Sequence, residues 1–194
     1  MIARLLTFLI LTLAIWFAAG SEGIAVARDP GEDKPPIKSE LYREYLIKAA
    51  LLYNIAKFTR WPDQAFESPE TPLRVCVIGE DPFGPALETI DGKLVKQRAV
   101  VTARPEAISD AKSCHVIFVS ASERWRLEEI LDAVGESPAL TVADMPDFAA
   151  AGGIINLKVV ENLSRFDINV KAATKARLSL SSKLLVLADQ VITE

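Results

Sequence analysis

Apolar and polar positions change their spacing several times along the chain, and each change marks an element. From Ser39 to Thr59 apolar residues recur at helical spacing without Gly or Pro, which predicts an α-helix. At about 100° per residue, Leu41, Tyr45, Ala49, Leu52 and Ala56 fall along one side. Leu46, Ile47, Leu51, Tyr53, Ile55 and Phe58 widen that surface, and only a strip with Arg43, Asn54 and Lys57 is polar. One core rarely needs so apolar a helix. Tyr45, Leu52 and Tyr53 are therefore candidates for contact with a second copy or a partner. Trp61-Pro62 stops the helix, because proline lacks the N–H and clashes with the preceding turn.

Beyond it the pattern alternates. Leu73–Gly79, Ala99–Ala103, His115–Ser120 and Ala139–Ala143 read as strands. Phe83–Ile90 reads as a short helix, Ser122 as the cap of a helix to about Val134, and Pro146–Ala151 as a helical turn. Ile154–Val160 and Arg165–Val170, joined through Glu161-Asn162-Leu163-Ser164, suggest a hairpin. Val170–Ala176 and Ser181–Ile192 read as closing helices. The expected fold is an α/β single-domain sandwich with a mainly parallel sheet, an antiparallel hairpin end and flanking helices.

The N-terminus has a different character. Arg4 precedes an uncharged apolar run from Leu5 to Ala19, shorter than the about 20 residues of a spanning helix. With small residues at Ala25 and Ala27, residues 1–27 read as a secretory signal peptide cut after Ala27, or earlier after Gly20. An uncleaved anchor is the alternative. Residues 28–38 are polar and proline-rich, a flexible leader to a domain at 39–194. Export places the mature protein in the periplasm or outside the cell, with no insertion in the membrane after cleavage. There an oxidising environment favours joining the two cysteines, Cys76 and Cys114. Two buried free thiols are the alternative.

Composition narrows the chemistry. The chain has 194 residues and a net charge of −4, which argues against nucleic acid as a partner. A single histidine, His115, leaves few ways to build a zinc site or a serine triad, so no metal, cofactor or catalytic residue is expected. Gly79-Glu80-Asp81-Pro82-Phe83-Gly84 lacks the Lys-Ser/Thr ending of a phosphate loop and reads as a structural turn. Trp125 falls opposite Leu127, Ile130, Leu131 and Val134 on a regular helix, which would expose its ring as a partner or dimer contact. An irregular first turn would instead fold that ring onto the domain. Lys57 and Arg60 end the first helix, and Lys175 and Arg177 lie near the last. If those ends meet, the four form an anion pocket.

Several segments, in order, resemble the YfiR/HmsC-like periplasmic proteins. They are Lys48–Pro62 (KAALLYNIAKFTRWP), Leu73–Gly79 with Asp81–Gly84, Cys114–Ser120, Gly152–Ile155, Arg165–Asn169 and Leu178–Leu185. The resemblance implies an α/β regulator without enzymatic activity. It would act as a homodimer on the periplasmic sensor domain of an inner-membrane diguanylate cyclase, lowering cyclic-di-GMP and biofilm formation. It also implies that Cys76 and Cys114 match the oxidised pair that keeps the family fold competent. Alternatives are an accessory protein of another membrane sensor such as a histidine kinase, a periplasmic small-ligand binding module, or a hydrolase using His115 with a serine.

Overall fold

The computed structural model describes residues 37–135, 137–160 and 163–193. The expected signal peptide (1–27), the leader as far as residue 36 and the first half of the expected turn, Glu161-Asn162, lie outside them, while its second half, Leu163-Ser164, belongs to a strand. Helix α1 spans Ile37–Phe58, so it starts two residues before the expected boundary and takes in the end of the expected leader. Its last turn closes when the Thr59 hydroxyl donates to the Ile55 carbonyl at 2.9 Å. The chain then straightens into β1 (Thr59–Arg60), as a residue stretch leading into a proline favours.

The remaining strands are β2 (Leu73–Ile78), β3 (Leu94–Val95), β4 (Arg98–Ala103), β5 (Val116–Val119), β6 (Leu140–Ala143), β7 (Ile155–Val160), β8 (Leu163–Asn169), β9 (Ser179–Leu180) and β10 (Gln190–Ile192). The helices are α2 (Pro85–Glu88), α3 (Leu127–Val134), α4 (Val170–Lys175) and α5 (Ser182–Leu187). Eight strands form one sheet in the order β10-β8-β7-β6-β5-β2-β4-β3. Its centre from β4 to β7 is parallel, β3 and β8 are antiparallel to their inner neighbours, and β10 runs parallel to β8. This is the expected α/β architecture of mainly parallel sheet, antiparallel hairpin and flanking helices. Strands β5 and β6 are buried along their whole length, because helices or turns cover both faces.

Alternation along β2 divides the interior in two. Leu73, Val75 and Val77 join Leu52, Ile55, Phe83 and Phe118 in a core under α1. Cys76 and Ile78 join Ile117, Val119, Ile130 and Phe148 in a second core under α3. Helix α1 crosses the sheet from carboxyl to amino ends. Tyr45 reaches Asp144 just past β6, and at the other end the Trp61 indole donates to the His115 carbonyl at 3.2 Å. The turns of α1 before Tyr45 therefore extend past the sheet, where Leu41 and Tyr42 are exposed.

Some expected elements differ. The helix expected over Ser181–Ile192 stops at Leu187, and Gln190–Ile192 instead extends the sheet as its edge strand. The change is held by Lys158, which pairs with Asp167 of β8 at 2.7 Å and Asp189 at 2.6 Å. The 3₁₀ segment Ala121–Arg126 stands where the first turn of a helix was expected, and Ile108–Ser113 is another 3₁₀ segment in a stretch assigned to no element. Ser122 does not cap that helix; its hydroxyl accepts the Glu80 N–H at 3.0 Å. Phe83–Ile90 is helical only over Pro85–Glu88, and Pro146–Ala151 is an irregular turn rather than a helical one.

Candidate functional site

The sheet has a topological switch point. From β2 the chain moves outward to β4, then returns to β5 on the other side, and α/β sheets open a crevice at the carboxyl ends of such strands. Here that end is furnished with the chain's own groups. Gly79 follows β2 with φ +88°, and a Cβ there would lie 2.5 Å from Ser122 Oγ. Asp81 accepts the Phe83 N–H at 2.8 Å and pairs with Arg104 at 2.6 Å, which makes Gly79–Gly84 a structural turn. Asp144 follows β6 and receives Lys48 Nζ at 2.5 Å and the Tyr45 hydroxyl at 2.9 Å. Lys48 also pairs with Glu44. Burial, and then the Asp144 carboxylate, push the Tyr45 phenol well above its ordinary range.

Trp125 stands on the same carboxyl-end loops, in the turn after β5. Its ring is 79% exposed, with the Arg126 guanidinium 5.4 Å from its centroid. The irregular first turn considered for this position is present, yet it turns the indole outward. A shallow cavity of about 650 Å³ beside it is lined by Arg124, Leu127, Glu128 and Ala151 among others.

The other expected contact residues sit differently. Leu52 is 1% exposed within the chain's own core, so it has no surface to offer a partner. Part of the apolar width of α1 is covered by the sheet beneath it and by α2, α5 and β3 against it, while Leu41, Ile47 and Phe58 stay exposed. Tyr53 is half-buried, and its hydroxyl donates to the Leu94 carbonyl at 2.8 Å. Tyr45 is likewise half-buried, turned to Asp144.

Cys76 and Cys114 are joined as a disulfide, with Cα atoms 6.0 Å apart. It fastens the 3₁₀ segment Ile108–Ser113 to β2. His115 follows at once and works as a clasp. Its Nδ1 accepts the Arg74 N–H at 3.0 Å, its Nε2 donates to the Ala65 carbonyl at 2.9 Å, and its ring stacks on Phe66. Burial pushes its pKa below the ordinary histidine value; the Ala65 bond opposes this, while Arg98 and Arg74 add to it. The imidazole is neutral with both nitrogens engaged, so neither is free to serve as a base for a serine.

Of the four cations expected to share an anion pocket, the strand pair β1–β9 does bring the two segments together, with Arg60 opposite Ser179. The cavity that Arg60 lines, about 720 Å³, is completed by Lys96 and Arg98 and not by Lys57, Lys175 or Arg177. Lys57 Nζ instead lies 5.3 Å from the Tyr53 ring centroid. Burial, and then Arg60, lower the Lys96 pKa. Lys96 and Arg98 come from the β3–β4 hairpin, which sequence reasoning did not connect to this end of α1.

Among the described residues no group of three or more His, Cys, Asp or Glu side chains is placed to hold a metal ion. No described helix is long and apolar enough to cross a membrane.

A comparison with curated proteins finds no match. Among solved structures, the chain is similar to a conserved domain protein from Vibrio cholerae, at 12% identity and TM-score 0.50 over 76% of this chain. It is also similar to the ABC domain in complex with L-Trp from Streptococcus pneumoniae, at 11% identity and TM-score 0.53 over 74% of this chain. In both cases the match spans 60% of the other chain, and at such identities the likeness is one of fold. The model of the YfiR/HmsC-like family matches residues 45–189, from the Tyr45–Asp144 contact to the start of the edge strand. The chain thus belongs to the YfiR/HmsC-like family, a regulatory and non-catalytic family of periplasmic proteins that act on membrane sensors such as diguanylate cyclases.

Proposed function

We propose that this protein is a periplasmic repressor of an inner-membrane diguanylate cyclase. It is exported by residues 1–27, dimerises, and binds the cyclase's periplasmic sensor domain. That binding stabilises the inactive arrangement of the sensor, lowering cyclic-di-GMP and restraining biofilm formation. The observation that carries the reading is the family match over residues 45–189. The exposed Trp125 supplies the contact, since a large, rigid aromatic side chain is a common anchor of a binding surface. The fully bonded His115 leaves no free imidazole for the hydrolase alternative.

The test is cellular cyclic-di-GMP in the native host with and without the gene. A rise on deletion, reversed by the exported form and not by a form lacking residues 1–27, supports repression in the periplasm. No change under envelope stress would overturn it. A second reading, a small-ligand module serving another sensor such as a histidine kinase, draws on the cavity that Arg60 and Lys96 line. A saturable thermal shift with an anionic ligand, lost on charge reversal at Arg60, would favour it.

A further inference from the structure

The face of β2 turned away from α1 carries Arg74 and Cys76. The disulfide holds the 3₁₀ segment Ile108–Ser113 across that face, and between them lies a cavity of about 770 Å³. Its floor includes both half-cystines, Cys76 0% and Cys114 4% exposed. Three cations line it from three separate segments: Arg74 on β2, Arg104 after β4, and Lys112 on the 3₁₀ segment. The one lining carboxylate, Asp110, accepts the Ser109 hydroxyl at 3.3 Å. Arg104 is held by Asp81 and by the Gly84 carbonyl. Arg74 and Lys112 make no ion pair among the described residues. The same two cations line an adjoining cavity of about 540 Å³ on the His115 side of Cys114.

In a chain of net charge −4, three cations against the single carboxylate of Asp110 give this polar, disulfide-floored recess a local positive field. The volume lies in the range of about 300–1,000 Å³ typical of small-molecule sites.

We propose that this cavity binds a small anion with two or more negative charges, carboxylate or phosphoryl, between Arg74 and Lys112 and over the Cys76–Cys114 disulfide. Charge-assisted hydrogen bonds from a guanidinium and an ammonium give such a ligand both affinity and orientation. Both half-cystines are buried, so a thiolate reaches them only when the segment over them opens, and the occupant slows reduction by favouring the closed, oxidised form through mass action. The site needs no cyclase, so its test stands apart from the repressor reading.

The experiment is calorimetric titration of the oxidised protein with citrate and with pyrophosphate, against acetate, at constant ionic strength. Saturable single-site binding of at least one multivalent probe and none of acetate is expected, and the tighter probe tells carboxylate from phosphoryl chemistry. R74Q/K112Q keeps the Arg74 backbone N–H that His115 needs, and it weakens binding by roughly a hundredfold. K112Q alone, the milder variant, weakens it by roughly tenfold. Saturating probe slows reduction by dithiothreitol, which attacks as its thiolate, in the parent and not in R74Q/K112Q. Absence of binding by both probes, equal binding by the variant, or a reduction rate indifferent to the probe would overturn the proposal.

Discussion

The two faces of the sheet are built by opposite means. On one, the 22-residue helix α1 spreads over the strands and buries Leu52, Ile55, Phe83 and Phe118 in a single apolar core. On the other, cover comes from the eight residues of α3 and from short 3₁₀ segments. Short 3₁₀ pieces have poorer hydrogen-bond geometry and present little continuous surface. It is on that thinner face that the Cys76–Cys114 bond lies, within a core of Ile78, Ile117, Val119, Ile130 and Phe148. A covalent link stands in where helical cover is short, and the repressor surface we assign to Trp125 grows from the same face.

The largest effect expected from breaking this contrast is loss of the link itself. Cys76→Ser/Cys114→Ser should lower unfolding free energy by about 4 kcal/mol on the loop-entropy model, read from urea titrations. Hydrogen exchange should then quicken first over residues 108–134 while 45–58 stay protected. Uniform quickening would mean that the two faces are one cooperative unit. Next, Leu52→Ala and Ile130→Ala should each cost about 2–5 kcal/mol in the oxidised protein. After reduction the Leu52→Ala cost should persist and the Ile130→Ala cost should shrink, because the second core will already have loosened.

A smaller effect concerns the amino-end seam. His115 has a lowered pKa in the folded chain, so the unfolded chain takes up its proton first as the solution is acidified. Its contribution is complete above the ordinary histidine pKa of about 6.5 and is lost as pH falls through that value toward the lower folded one. His115→Gln should therefore flatten the dependence of the urea midpoint on pH over this range. An unchanged slope would assign it to other groups. Smallest for stability is Trp125→Ala, expected to change unfolding free energy by less than about 0.5 kcal/mol. The same variant should weaken binding to the cyclase sensor domain by about tenfold or more. Full binding by this variant would move the partner surface elsewhere.

Much of the thicker face was legible in the sequence. Helix α1 has unbroken helical spacing, and β2, β5 and β6 are short apolar runs of the kind that parallel strands buried on both sides require. The thinner face was harder to read. A 3₁₀ segment such as Ile108–Ser113 has too few residues to show a period, and the two-residue strand β3 has none. Leu184–Ile192 contains an apolar pattern that suits a helix, and only pairing with β8 turns its end into β10. For the site, a helical wheel offered an exposed Trp125 beside the alternative of a folded-in ring, and the ring is exposed although its turn is not α-helical. Leu52 shows the limit of that wheel, which places a residue on a face without saying what covers it. Lys96 and Arg98 were missed beside Arg60, because a hairpin remote in sequence delivers them.

The pairing of β1 with β9, Thr59 opposite Leu180, sets the order in which the chain can close. A polypeptide delivered N-terminus first presents α1 early, but the strand that pins the end of α1 arrives almost last. The cysteines lie between these two segments, only 38 residues apart, so oxidation can precede that closure. Contacts so distant in sequence slow folding. Joining the cysteines thus needs no residue beyond Cys114, whereas the end of α1 stays unpinned until Leu180 is present, so the two faces can close at different times.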